Sequence, residues 1–247
     1  MNVAVFRPDD ERLSAAVDLL TDLGVEPVAD PMLAVEPAGA TPESAEWVVL
    51  TSKTGVELAA RGGWEPGDAK LAAIGPATAE AASEAGWAVE LVPSEYSSAG
   101  LVHDFEDRVD DAAGTTVEVA RSDHGSPVLL DGLRGAGATV NETVLYRLVR
   151  PERAGKSVDL AAERDLAGAC FTSSLTVEHF LDAAAERGVR DAALAGLSEA
   201  VVGCIGHPTR ETAEELGVEV NVVPAEAEFA SLAEAVVAEL GVVGENA

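Results

Sequence analysis

Short apolar runs alternate with amphipathic stretches along almost the whole chain. Runs of Val, Ile, Leu or Ala end in Thr, Ser, Gly or Arg, and apolar residues at three- and four-residue spacing follow. Leu13, Ala16, Val17, Leu20 and Leu23 make one such stripe; Val177, Phe180, Leu181 and Ala184 make a second. Phe229, Leu232, Val236 and Leu240 make a third. Strand followed by helix with short connections predicts an α/β protein with parallel sheets covered on both faces. Ligands of such sheets sit at the carboxyl ends of the strands. Those ends carry Arg7-Pro8, Thr51-Ser52, Gly75 to Thr78, Arg121-Ser122, Thr172 to Ser174 and Gly206 to Thr209.

The pattern occurs twice. Ile74-Gly-Pro-Ala-Thr78, Gly86, Val89 to Pro93 and Leu101 return as Ile205-Gly-His-Pro-Thr209, Gly217, Val220 to Pro224 and Leu232, at a constant offset of 131. Leu50-Thr-Ser-Lys-Thr-Gly-Val56 returns as Phe171 to Val177 at offset 121. Val3 to Arg7 with Gly24 returns as Val117 to Arg121 with Gly137, at offsets 114 and 113. The order differs between the copies, because the strand ending in Arg121 comes after the Ile-Gly and Val-Pro set. Two similar Rossmann- or flavodoxin-like lobes follow, one of them discontinuous. Residues 1–30 and 151–247 are expected to form the first and residues 44–141 the second. Residues 31–43 and 142–150 are expected to cross between them as a two-stranded antiparallel linker, Met32 to Glu36 pairing with Thr143 to Val149. A cleft between lobes is the expected place for a ligand.

Composition narrows this picture. With roughly 150 residues per domain as a guide, two small lobes suit a chain of 247. Hydrophobic residues are 47% but aromatics only 4%, so the cores must be built from Val, Ala and Leu. No apolar run reaches the ~18 residues of a membrane span, and Arg7 interrupts any signal-peptide pattern, so a cytoplasmic protein is expected. Cys170 and Cys204 fall in predicted buried strands and read as core thiols in a reducing compartment. The net charge is −28, with 13 Arg and 3 Lys. The acids are interleaved with periodic apolar residues, which marks the solvated helix faces of a folded protein adapted to high salt. No basic stripe supports nucleic-acid binding.

The strand ends are rich in hydroxyls and glycines and poor in strong acids and bases. Helix N-termini present free N–H groups and partial positive charge, which suits a polyanionic ligand. Two readings stand side by side for Ser52, Thr78, Ser174 and Thr209: helix caps alone, or caps that also touch a ligand. Thr51, Ser122 and Ser173 lie in the same strand-end motifs. Gly75 and Gly206 allow a ligand close to the backbone. Arg7 and Arg121 occupy equivalent strand ends, where a surface ion pair competes with binding of a carboxylate. His207 stands where the other copy has Pro76, which argues against a catalytic role. The chain has no Walker loop, no dinucleotide fingerprint and no metalloprotease or hydrolase motif, and no metal site is expected.

The ordered set of motifs resembles the uroporphyrinogen-III synthase family. Arg7-Pro8, Thr51-Ser52, Ile74-Gly75 with Thr78-Ala79, Gly86 to Pro93, Tyr146, Phe171 to Ser174 and Ile205-Gly206 with Thr209 carry the resemblance over essentially the whole chain. Arg210 stands where the family often has Ala, and the chain is more acidic than most members. The resemblance implies a cofactor-free enzyme. It would close hydroxymethylbilane, a linear tetrapyrrole with eight carboxylates supplied by an upstream hydroxymethylbilane synthase, with loss of water and inversion of ring D. Left alone, the bilane closes without inversion. The enzyme must therefore orient it, through an azafulvene cation and a spiro-pyrrolenine. The resemblance also makes Tyr146 the expected catalytic residue, as hydrogen-bond donor to the departing hydroxyl. It assigns Arg7, Thr51, Ser52, Gly75, Thr78, Arg121, Ser122, Ser173, Ser174, Gly206 and Thr209 to substrate binding. A monomer acting without membrane or nucleic acid is expected, and a halophilic archaeon as its source. The alternative is a two-lobe protein that binds or senses a tetrapyrrole or other small molecule without turnover.

Overall fold

The computed structural model describes residues 1–109 and 114–241. In chain order these form β1 (Asn2–Phe6), α1 (Glu11–Asp22), β2 (Glu26–Ala29), β3 (Ala34–Pro37), β4 (Trp47–Leu50), α2 (Lys53–Arg61), β5 (Lys70–Ala73), α3 (Pro76–Glu84), β6 (Val89–Leu91) and α4 (Ser98–Arg108). There follow β7 (Thr116–Ser122), α5 (Pro127–Gly135), β8 (Thr139–Val149), α6 (Lys156–Ala162), β9 (Gly168–Phe171), α7 (Ser174–Glu186), α8 (Arg190–Leu197), β10 (Val201–Cys204), α9 (His207–Glu215) and α10 (Phe229–Glu239). Packing divides the chain into two compact units. Unit 1 is Met1–Ala34 with the chain from Val149 onward, and unit 2 is Val35–Leu148. None of the described helices is long and apolar enough to cross a membrane.

Unit 1 is built on a sheet of order β10-β9-β1-β2, in which every neighbouring pair is parallel. Such strands are apolar on both faces because helices cover both. Ala4, Phe6 and Phe171 face α6, α7, α8 and α9, and Val3, Val5 and Cys170 face α1 and α10. The few aromatics are concentrated on the first face. Phe6 stacks on Phe171 at 4.5 Å between centroids and meets Phe180 edge-on at 5.7 Å. Cys170 and Cys204 are free, buried and on opposite faces of this sheet. Burial pushes both thiols up to about 12, which leaves them inert as nucleophiles.

One buried carboxylate ties this discontinuous unit together. Asp30, 2% exposed and just past β2, accepts from the Gly155 N–H at 2.9 Å and the Ser157 N–H at 2.8 Å. It also accepts from the Ser157 hydroxyl. An acid at the start of α6 satisfies N–H groups that would otherwise have no partner.

Unit 2 has the order β3-β8-β7-β4-β5-β6, and the pairs from β8 through β6 are parallel. Trp47, Val49, Val117 and Val119 face α4 and α5, while Val48, Leu50 and Ala120 face α2 and α3. The expected pairing of the two crossing segments is present, since β3 is a neighbour of β8, but it forms the edge of the unit 2 sheet rather than a separate ribbon. Residues 143–149 are not a linker of their own. They are the second half of β8, which pairs with β7 from Thr116↔Thr139 to Ser122↔Tyr146 and has β3 as its other neighbour. A β-prone run shows where a strand is; the second partner, β7, comes from non-local hydrogen bonds that the run itself does not mark.

The internal repeat has a structural counterpart. α3 and α9 have the same length and start one residue after Gly75 and Gly206, whose backbones are extended (φ −173° and −169°). Ser52 and Ser173 cap α2 and α7 through equivalent bonds to Gly55 and Thr176.

Candidate functional site

At the carboxyl ends of β4, β7 and β8, unit 2 holds a small cavity of about 190 Å³. Thr51, Ser52, Arg121, Ser122 and Tyr146 all line it, with Ile74 and the Ser126 cap of α5. Parallel pairing explains the gathering. Leu50 is in register with Ala120, so the residues following each strand emerge side by side.

The placement of Tyr146 depends on a bulge. The β7–β8 register shifts between Arg121 and Ser122: Arg121 faces Val144, whereas Ser122 faces Tyr146. The extra residue lets Leu145 and Tyr146, consecutive in sequence, both enter the cluster on the α2 face. A regular strand would send them to opposite faces. The bulge brings the phenol, on a residue 7% exposed, within 2.9 Å of the Ser52 hydroxyl. Ser52 Oγ also accepts from the Gly55 N–H at 3.0 Å and so caps α2. Below the phenol, the Asp123 N–H donates to the Tyr146 carbonyl at 3.2 Å, and the Asp123 carboxylate accepts from the Leu148 N–H at 3.0 Å. Burial acts to raise the Asp123 carboxyl, but hydrogen bonds from His124 and Leu148 outweigh it and hold the group below its ordinary value.

Arg121 is equally fixed. Its Nε donates to Glu142 at 2.6 Å and one terminal nitrogen, Nη1, to the Ser126 carbonyl at 2.6 Å. A Cβ at Gly125 would fall 2.5 Å from the Arg121 side chain, so glycine there makes room for the guanidinium. Of the two readings the sequence offers for Arg121, the ion pair is present, though buried rather than at the surface, and it holds the arginine at the cavity. Glu142 itself gave no sequence signal, because it is one acid among many on a polar strand.

Gly75 and Thr78 lie beyond Ile74, where Gly75 is the N-cap residue of α3 and Thr78 is buried in its first turn. The exposed Tyr96 flanks Gly75: a Cβ on the glycine would sit 3.5 Å from the tyrosine's Cβ. In unit 1 the equivalent strand ends bring Arg7, Ser173, Ser174, Gly206 and Thr209 to the ends of β1, β9 and β10. Several of these side chains have structural work. Arg7 stacks over Phe229 at 5.1 Å, and burial, followed by repulsion from Arg12, draws its guanidinium below the usual value against an opposing pull from Asp10. Ser173, not Ser174, caps α7, within a capping box completed by Thr176. Ser174 donates to the Pro208 carbonyl at 3.2 Å and accepts from Thr212 at 2.8 Å, stitching α7 to α9. The cap residues of α3 and α9 are Gly75 and Gly206, while Thr78 and Thr209 lie buried one turn inside. Among the described residues, no group of three or more His, Cys, Asp or Glu could hold a metal ion.

The family model described as uroporphyrinogen-III synthase HemD matches residues 14–234. The chain belongs to the uroporphyrinogen-III synthase family. A curated relative from Methanothermobacter thermautotrophicus, named "Putative uroporphyrinogen-III synthase", is 31% identical over 232 residues, covering 87% of this chain and 90% of that one. Two solved uroporphyrinogen III synthases share the fold. The Thermus thermophilus structure (a mutant form) gives a TM-score of 0.67 at 19% identity, covering 95% of this chain and 96% of its own. The Helicobacter pylori structure gives 0.62 at 13%, covering 96% and 98%. This family consists of cyclising lyases, and the chain is an enzyme of that class.

Proposed function

We propose that this uroporphyrinogen-III synthase family member closes hydroxymethylbilane to uroporphyrinogen III, with Tyr146 donating a proton to the departing hydroxyl. The observation that carries the assignment is the cavity of unit 2, which places a phenol, a hydroxyl and a fixed guanidinium together at strand carboxyl ends. A phenol carries one hydroxyl hydrogen that it can donate, and so is a competent donor to the departing hydroxyl. The demand on it is modest, because the substrate ionises readily and the enzyme's main task is to orient it.

Arg121 is assigned to a substrate carboxylate. Its bonds to Glu142 and Ser126 use Nε and Nη1, so the assigned donor is Nη2. Backbone N–H groups at the first turns of α3 and α9 are assigned to further acetate and propionate arms. The glycines support this. Gly75 and Gly206 are extended, a conformation open to any residue, and a Cβ on either would make only ordinary contacts, at 3.5 Å and 3.9 Å. Neither conformation nor packing demands glycine at these positions, whereas a close ligand would. Arg7, Thr51, Ser122, Ser173, Ser174, Thr78 and Thr209 complete the proposed binding set. We read the two units as the discontinuous and continuous lobes expected from the sequence. A cytoplasmic, salt-adapted monomer fed by a hydroxymethylbilane synthase fits the charge of −28 and the reaction.

The test is Tyr146→Phe with fresh hydroxymethylbilane. The variant should form type III uroporphyrin about tenfold more slowly, the scale of one lost hydrogen bond to a reacting group. A wild-type rate would remove Tyr146 from the mechanism.

A further inference from the structure

We propose that Ser52 is a positioning residue that acts on the reaction through Tyr146 rather than by touching the bilane; this rests on the synthase reading above. The geometry is a chain of three groups. The Gly55 N–H, in the first turn of α2, donates to Ser52 Oγ at 3.0 Å, and Ser52 Oγ lies 2.9 Å from Tyr146 Oη. A serine hydroxyl has one hydrogen and two lone pairs. The Gly55 N–H takes one lone pair. If Tyr146 is to give its hydrogen to the leaving hydroxyl, the Ser52 hydrogen must point at the phenol oxygen. The order is then Gly55 N–H to Ser52 O–H to Tyr146 O–H to substrate.

Each bond in such a chain polarises the next, and the chain begins at a helix N-terminus with its partial positive charge. The chemical step balances. The carbon–oxygen bond of the hydroxymethyl group breaks, its electron pair leaves on oxygen, and the Tyr146 proton completes a water molecule. The azafulvene cation and the Tyr146 phenolate then carry opposite charges, and Ser52 O–H is the donor that stabilises the phenolate. When the ring closes and its last pyrrole regains aromaticity, the released carbon-bound proton returns to the phenolate. The β8 bulge, which turns Tyr146 onto the α2 face, is what makes this contact available.

Ser52 also caps α2, so the test must separate the cap from the relay. Glycine is nearly as good an N-cap as serine and has no hydroxyl; aspartate caps well but its carboxylate can only accept. Single and double variants with Tyr146→Phe would be assayed in molar salt by type III uroporphyrin formation. Ser52→Gly and Ser52→Asp should each lower kcat by about three- to tenfold with KM little changed, the scale of one hydrogen bond. Ser52→Thr should restore most of the rate. Combined with Tyr146→Phe, Ser52→Gly or Ser52→Asp should add no further loss, because the hydroxyl has nothing left to act through. Losses that multiply would overturn the proposal and leave Ser52 as a cap. A single Ser52 variant slower than Tyr146→Phe would overturn it in favour of direct substrate contact. Type III product from the wild type with multiplying losses rejects the relay alone; type I product only from folded wild type rejects the synthase reading and the relay with it.

Discussion

Glu118 sits in the middle of β7, between Val48 and Asn141 in the register, and is 0% exposed. Among the described residues neither of its carboxylate oxygens makes a hydrogen bond of good geometry, and the Thr143 hydroxyl and Glu43 backbone give it only weak support. Burial raises its pKa above the ordinary 4.5; the Thr143 hydroxyl and the Glu43 backbone oppose that pull, while the charges of Glu43 and Glu142 add to it. Leaving such a group buried without a well-formed hydrogen bond costs about 1–3 kcal/mol. Glu118→Leu removes the polar atoms at similar volume and should recover about that much, raising Tm by roughly 2–4 °C per kcal/mol. The pH dependence identifies the cause. With the folded pKa above the unfolded value, the native state holds a proton that the unfolded chain has already released. Wild-type stability attributable to this group therefore falls as pH rises from about 4.5 to the raised folded pKa, then levels off. Leucine does not titrate, so the variant's advantage should widen across that window. Paired thermal melts from pH 4 to 8 at fixed molar salt would show it, since the other titrating groups cancel between the two proteins. A constant advantage, or a less stable variant, would mean that burying the Glu118 charge does not cost the native state stability.

Other expectations follow from the same geometry. Asp30→Ala should cost about 3 kcal/mol, because a buried carboxylate with three donors is lost, and denaturant unfolding would measure it; a loss under about 0.5 kcal/mol, the range of an ordinary surface change, would contradict the anchoring role. Gly75→Ala and Gly206→Ala should keep wild-type melting within about 1 kcal/mol yet weaken bilane binding, whereas unfolded variants would show that the glycines serve the fold. Substrate affinity should improve from dilute to molar salt, because screening relieves repulsion between an anionic substrate and a chain of charge −28. Monotonic weakening would count against salt adaptation.

The parts of this structure that repeat were the parts the sequence made legible. The constant offsets placed Gly75 with Gly206 and Ser52 with Ser173, and the strand ends they mark lie where parallel pairing puts them. What escaped depends on single non-local contacts. The β8 bulge is a register shift against β7, invisible in a run of β-prone residues, and it decides which face Tyr146 takes. The Glu142 partner of Arg121 and the burial of Asp30 and Glu118 have the same character, for in a chain with 44 acids nothing local marks the few that turn inward. The cap of α7 is Ser173 and not the expected Ser174, because adjacent serines look alike until the backbone shows which one precedes the first turn.

Purified protein in molar salt would be given freshly made hydroxymethylbilane, and the oxidised products separated by chromatography. Predominantly type III uroporphyrin, formed faster than spontaneous closure, is the predicted result. Only the type I isomer at the spontaneous rate, from correctly folded protein, would contradict the account and leave a two-unit binding protein in its place.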